Sequence, residues 1–525
     1  INYLYYGSGH LHQISLDDEV ITDIERDRLH REIFRTQGKL ASRYELDPLG
    51  RLKRQIATLN DLTEGGKGKT KVAAGYGQTA VKRSYGYDRT GNLTHSTDQR
   101  TGTTQFEYDK LGRITQAGSE LFAFDPAHNI LDIPTEKVKP YPAPSPVGEG
   151  RGEGKTTAPL SDGRSAITDN RLKTYNGTTY YYDELGNLIH RELADGEVQN
   201  YFYDLHDQLV KAEIFKKDCM KETWAYTYDA LGRRIGKGRL KTSQEVSETS
   251  FPHDLSGNDL ENQTRFVWDG SHLLQEIHSD GRYTYIYTAP DSYEPLAQVR
   301  DWTTEDGENL QQTRYFHCDQ IGIPREMTDK DGNLLWFGDY YGWGKLKSET
   351  NVTGTAHQPF RLQNQYADCE TGLHYNFFRY YEPDAGRFVN QDPIGLLGGE
   401  NLYRFAPNAQ MWIDRLGLWG DMNGASATIS AGGVSETYHS SRTGHAEING
   451  LNDFSRRGLL TGKDVQIGNI TGEFRSSGSK PVGMCTNCRA GIFDILKRSG
   501  ANSVSFPETR GNKVLGMIKI DASDF

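Results

Sequence analysis

The chain has 525 residues, 25% of them charged, with 60 Lys+Arg against 71 Asp+Glu and a formal net charge of −11. That length exceeds one hydrophobic core and implies several folded units. The acidic balance excludes a general nucleic-acid coat, no apolar run is long enough to span a bilayer, and five cysteines are too few for a disulfide framework.

Ile1 stands within an aromatic-rich run and is no initiator Met, so the chain reads as a piece of something longer. Through residues 1–418 a short unit recurs. Tyr85-Gly86-Tyr87-Asp88-Arg89-Thr90-Gly91-Asn92-Leu93 returns as Phe106 to Ile114, Tyr180 to Leu188, Tyr226 to Ile235 and, less cleanly, Tyr44 to Leu52. Degenerate copies start at Phe122, Tyr201 and Phe266. Alternating aromatics favour a strand, Asp suits the first position of a type I turn, and Gly three residues on suits the last. Each copy should therefore be strand, tight turn and strand, stacked into a long wound antiparallel sheet. Residues 133–166 break the pattern with Pro140-Tyr141-Pro142-Ala143-Pro144 and a Gly/Glu/Arg run, and are expected to form an exposed mobile loop.

The repeat resembles the YD repeat of Rhs proteins. The likeness extends through Tyr315-Phe316-His317 to Glu326, Pro359-Phe360-Arg361, Gln365-Tyr366, Glu370 to Tyr375, Arg379-Tyr380-Tyr381, Gly386-Arg387-Phe388 and Asn401-Leu402-Tyr403. It implies an all-β hollow shell over residues 1–391 enclosing a C-terminal toxin; an open adhesive β-array is the competing architecture. Asp392-Pro393-Ile394-Gly395 and, after eighteen intervening residues, Asp414-Arg415-Leu416-Gly417 resemble the paired D-P-x-G tetrapeptides of the Rhs junction. The resemblance makes residues 392–418 a self-cleaving junction, with Asp392 and Asp414 as an aspartyl dyad, Arg387 in support and Leu418–Trp419 as the scissile bond. Two neighbouring carboxylates cannot both ionise comfortably, so one serves as acid while the other activates water. Arg415 departs from the motif's Pro and is expected to add a positive charge beside Asp414.

Residues 419–525 carry 12 basic and 10 acidic residues, against 48 and 61 in the preceding 418. Here His445-Ala446-Glu447 is followed, after thirty-seven intervening residues, by Cys485-Thr486-Asn487-Cys488. Three N/S ligands, an open fourth position and an adjacent carboxylate are what a catalytic zinc site requires. A structural zinc knuckle would need a fourth ligand, and His439 is the only other His in the last hundred residues. Ile448, Leu451 and Phe454 recur at helical spacing behind Glu447, placing His445 and Glu447 in a first turn. Ile492, Ile495 and Leu496 mark a second helix, which Gly500 stops. Val465–Ile467, Ser503–Phe506 and Val514–Ile520 read as strands, giving a small three-layer α/β domain.

The HxE…CxxC pattern resembles zinc-dependent nucleobase deaminases, and the stretch is similar to deaminase domains of bacterial polymorphic toxins. By that resemblance His445, Cys485 and Cys488 hold zinc and Glu447 moves protons as activated water attacks the base. Met484 stands where the family commonly has Pro. The implied whole is an interbacterial effector made in the bacterial cytoplasm and delivered to a target cell's cytoplasm. Its implied partners are nucleic acid, a cognate immunity protein and a secretion apparatus engaged by N-terminal parts. Cytosine in DNA is the preferred substrate; RNA, adenine and free nucleosides remain open, as does a non-catalytic zinc module that binds nucleic acid.

Overall fold

The computed structural model describes residues 1–7, 9–59, 79–132, 167–218, 220–241, 259–418, 422–439, 446–474, 478–481, 492, 495–510 and 513–524. The expected loop at 133–166 lies outside the described residues.

The repeat unit forms as its residues dictate. In the copy at Asp88, the Gly91 N–H donates to the Asp88 carbonyl at 3.2 Å, while Asp88 Oδ1 accepts the N–H groups of Thr90 and Asn92 at 2.9 Å. Asp109 holds Leu111, Gly112 and Arg113 in the same way and adds an ion pair to Arg113 Nε at 2.6 Å. The side chain thus closes an Asx turn on its own backbone, and Gly91 takes φ +99° where most residues would be strained. Degenerate copies force non-glycines into that region, His128 at φ +67° and Asp207 at φ +57°.

Among the described residues these units build two large sheets whose strands follow one another in sequence order, each pairing antiparallel with its predecessor. One has 11 strands, from Asn2–Tyr5 to Glu120–Leu121; the other has 15, from Thr174–Tyr175 to Leu346–Asn351. The second aromatic of a repeat links successive turns. Tyr87 Oη donates to the Leu52 carbonyl at 2.8 Å, Tyr203 Oη to Leu188 at 2.9 Å and Tyr228 Oη to Leu209 at 2.8 Å. The first aromatic points into the core: Tyr85, Tyr180, Tyr201 and Tyr226 are buried.

Residues 357–418 pack against this wall. A four-stranded sheet (Tyr366–Ala367, His374–Asn376, Arg379–Glu382 and Arg387–Phe388) is buried throughout. Buried ion pairs join it to the repeats. Arg234 reaches Asp368 at 2.6 Å, Lys237 reaches Asp368 at 3.0 Å and Glu370 at 2.9 Å, and Arg191 pairs with Glu382. Removing one partner of such a pair strands a buried charge, which makes the docking of this segment specific.

The C-terminal unit has its own core, in which Ile429, Leu451, Phe454, Ile467, Ile492, Leu496 and Val504 meet. In its sheet Met422–Ala431 pairs antiparallel with Val434–His439 and with the central strand Asp464–Phe474. Asp464–Phe474 runs parallel to Ser503–Arg510, which pairs antiparallel with Lys513–Asp521. A parallel pair needs a crossover, and residues 495–499 of that connection are helical. Helix α1 (Ala446–Arg456) packs on the first two strands, with Leu451 and Phe454 fully buried. Gly500, at φ +67°, ends the second helical stretch, with Ala501 N–H donating back to the Leu496 carbonyl at 3.1 Å. The expected strands and both helical positions are present. The hairpin Met422–His439 escaped the sequence reading because Ser, Ala, Thr and Gly blur its alternation.

Candidate functional site: the junction and the C-terminal unit

Asp392 and Asp414 are twenty-two residues apart in sequence and meet at one guanidinium. Arg379 Nη2 lies 3.1 Å from Asp392 Oδ2 and 3.4 Å from Asp414 Oδ2. The same arginine donates through Nε to the Gly417 carbonyl and through Nη1 to the Leu402 carbonyl at 3.1 Å. All three side chains are buried. Asp414 Oδ1 accepts the Leu418 N–H at 2.9 Å, so the carboxylate grips the expected scissile residue itself. A Cβ on Gly398 would collide with Asp392 Oδ2 and would lie 3.1 Å from the Leu418 carbonyl oxygen. Asp414 thus holds Leu418 by its N–H, and Asp392 Oδ2 and the Leu418 carbonyl oxygen both border the space beside Gly398.

Burial pushes the Asp392 carboxyl up to about 6, with Asp414 adding to the rise and Arg379 opposing it. Two neighbouring carboxyls held by one cation, one of them raised by burial, form a pair in which one group can keep a proton while the other is ionised.

Arg387, expected to support the dyad, does not touch it. Its guanidinium donates to Asn129 Oδ1 at 3.2 Å and to the Asn170 carbonyl, and it lies over the Tyr403 ring at 5.1 Å. The reason is strand alternation. Arg387 stands opposite Glu382, and Arg379, three residues before Glu382, leaves the other face of that strand, stacked on Phe388 at 3.6 Å. Arg379 is the residue the sequence reading missed; its arginine-aromatic setting gave no signal of which arginine would reach the dyad. Arg415 places its guanidinium over the Tyr293 ring at 5.4 Å, and its carbonyl accepts Asn364 Nδ2 at 2.6 Å. Arg379 brings a cation to Asp414 that the sequence reading did not assign.

In the C-terminal unit, Glu447 is buried, 4% exposed, in the first turn of α1. The strand before this helix and the helix itself are tied by Tyr438 Oη donating to Asp453 Oδ2 at 2.7 Å and by Arg457 bridging Glu436 and Asp453. His445, Cys485, Cys488 and Trp419 lie outside the described residues. No helix among the described residues is long and apolar enough to cross a membrane. Cys318 and Cys369 are free thiols.

Family models match twice: "RHS Repeat" over residues 87–120 and "RHS protein" over residues 314–350. Double-stranded DNA deaminase toxin A of Burkholderia cenocepacia is 37% identical over 445 residues, which is 82% of this chain and 28% of that protein. Toxin protein Tse5 of Pseudomonas aeruginosa is 31% identical, covering 78% of this chain and 31% of its own length. Probable deoxyribonuclease RhsA of Dickeya dadantii is 26% identical over 86% of this chain and 28% of its own length. The chain thus spans less than a third of these relatives. In fold it is similar to the crystal structure of TcdB2-TccC3-Cdc42, with TM-score 0.50 and 18% identity over 79% of this chain and 20% of that one. The nearly all-β repeat array, the two family matches and these relatives agree that the chain carries Rhs repeats and is related to the Rhs toxins.

Proposed function

We propose that this chain is the shell and effector part of an Rhs toxin, in which the junction cuts the chain after Leu418 and residues 419–525 deaminate a nucleobase, cytosine in DNA first. The relatives' names span a deaminase, a toxin and a probable deoxyribonuclease on similar repeats, so the chemistry must rest on the C-terminal residues themselves. The observation that carries it is Glu447: a carboxylate buried in the first turn of α1, two residues after His445, in a unit that also holds Cys485 and Cys488.

The donor set, one imidazole and two thiolates, fits zinc with an open fourth position. Bound there, zinc supplies Lewis acidity toward water and base. Glu447 needs no place in the ligand set. It takes a proton from the attacking water and passes it to the ring nitrogen of the base, then takes the remaining proton of the added hydroxyl and passes it to the amine, which leaves as ammonia.

At the junction, the ionised carboxylate takes a proton from water attacking the Leu418 carbonyl carbon while the protonated one supports the carbonyl oxygen. The C–N bond to Trp419 then breaks, and its nitrogen takes the proton that the first carboxylate removed from the water. Arg379 orders the site by holding both carboxylates and the Gly417 carbonyl. Enclosure of the C-terminal unit by the repeats, with release after the cut, would protect the producing cell; an immunity protein and a delivery apparatus complete the proposal.

The test is sequencing of DNA and RNA from cells expressing residues 419–525, with Glu447→Ala beside wild type. C·G to T·A changes confined to wild type are expected. Toxicity that survives in Glu447→Ala, or no substitutions in either nucleic acid, overturns the deaminase reading.

A further inference from the structure

Far from both sites in sequence, strand His272–His278 carries Glu276 and His278, two residues apart and so on one face. His357 arrives from the connection that follows strand Leu346–Asn351. The three converge on one atom: Glu276 Oε2 lies 3.1 Å from His278 Nε2 and 3.0 Å from His357 Nε2. Among the described residues they alone gather metal-ligating atoms in this way, all within 4.8 Å of one another.

The surroundings look built. Tyr366 Oη donates to the same Oε2 at 3.0 Å, and Tyr285 Oη donates to Oε1 at 2.5 Å. Thr264 Oγ1 stands 3.3 Å from His278 Nδ1, fixing that ring from its outer side, as partners of metal-bound imidazoles do. The two imidazoles meet edge to face at 5.5 Å, and Tyr283 packs against both. Three donors crowd Oε2, whereas a carboxylate offers about two lone-pair sites per oxygen. One cation in place of the two imidazole protons relieves that crowding and pairs with a carboxylate whose side chain is fully buried.

We propose that Glu276, His278 and His357 bind one divalent transition-metal ion of the zinc class, stapling the segment at His357 and Tyr366 to the repeat wall. Two imidazole nitrogens and a carboxylate oxygen suit zinc, cobalt or nickel rather than calcium or magnesium. Tetrahedral zinc at its usual bond lengths sets donor atoms about 3.3–3.5 Å apart, so the two distances from Glu276 Oε2, 3.1 and 3.0 Å, need open by only a few tenths of an ångström, while the two imidazole nitrogens already lie within 4.8 Å of each other. His278 and His357 keep 22% and 30% side-chain exposure, which gives an ion a path in without unfolding. The site is independent of the thiolate set at Cys485 and Cys488, and its spectrum distinguishes the two.

The test uses the full chain, stripped with chelator and dialysed against cobalt(II). Wild type should bind one cobalt more per chain than His278→Gln/His357→Gln, and the difference spectrum should show ligand-field bands without thiolate-to-cobalt charge transfer. Equal cobalt in wild type and a folded double variant, or a difference spectrum that carries the thiolate band, overturns the proposal. Should the double variant fail to fold, wild type is treated with diethyl pyrocarbonate with and without one added zinc beyond the thiolate site's share. Peptide mapping should then show His278 and His357 protected by zinc; unchanged modification of both overturns it.

Discussion

Replacing Asp392 by Asn tests the junction most directly. Asn has the same shape, can still accept the Ile394 N–H that Asp392 Oδ1 receives at 3.1 Å, and leaves Arg379 its pairing with Asp414. The fold should therefore survive while the titrating proton is lost. A group acting as general acid or base contributes about 10²- to 10⁴-fold, so cleavage should slow by that factor. The wild-type rate should also carry the signature of Asp392, whose carboxyl is raised to about 6. If it works as the acid, its protonated fraction, and with it the rate, is near maximal below that value and falls roughly tenfold per pH unit above it. Cell-free translation at a series of pH values from about 5 to 8 measures both, by the ratio of intact chain to the two pieces ending at Leu418 and starting at Trp419. A variant that cleaves within about threefold of wild type, or a wild-type rate that climbs from pH 6 to 8, refutes the assignment of Asp392 as the acid.

Arg379→Lys should slow cleavage, since a single ammonium cannot hold two carboxylates and two carbonyls at once; Arg387→Lys should leave the rate within a few-fold while lowering the melting temperature. Tyr203→Phe removes the hydrogen bond to the Leu188 carbonyl and should cost about 1 kcal/mol in denaturant titration. Acid should destabilise the array through its buried imidazoles. Burial, with Arg83 nearby, lowers His317 to about 3, and burial lowers His272 to about 4 against the pull of Asp269. Their folded values lie below the unfolded one, so stability is full above pH 6.5 and falls as the unfolded state takes up protons, by about 1.4 kcal/mol per pH unit for each His. Melting curves from pH 7 to about 4 should show that slope, shallower in His317→Gln. Cys485→Ala should remove one zinc and lower the melting temperature of the C-terminal unit, read by elemental analysis and calorimetry.

What the sequence determined by itself is whatever short-range chemistry decides. An Asp side chain reaches the N–H groups just ahead of it, so the Asp-x-x-Gly turns and the strands they join were legible at Asp88, Asp109, Asp183 and Asp229. The apolar spacing behind Glu447 set α1, and Gly500 set the end of the next helix, for the same reason. The two junction carboxylates were legible as a pair because their spacing repeats a family pattern. Only the tertiary structure decided which arginine serves them: Arg379 and Arg387 differ by the face of a strand, and the face follows from register across the four-stranded sheet. Arg415 turned to Tyr293, and His357 met Glu276 across 81 residues, through packing between segments that carry no local mark of each other. Contacts of that range depend on how the wall closes on residues 357–418, and so they follow from the fold as a whole.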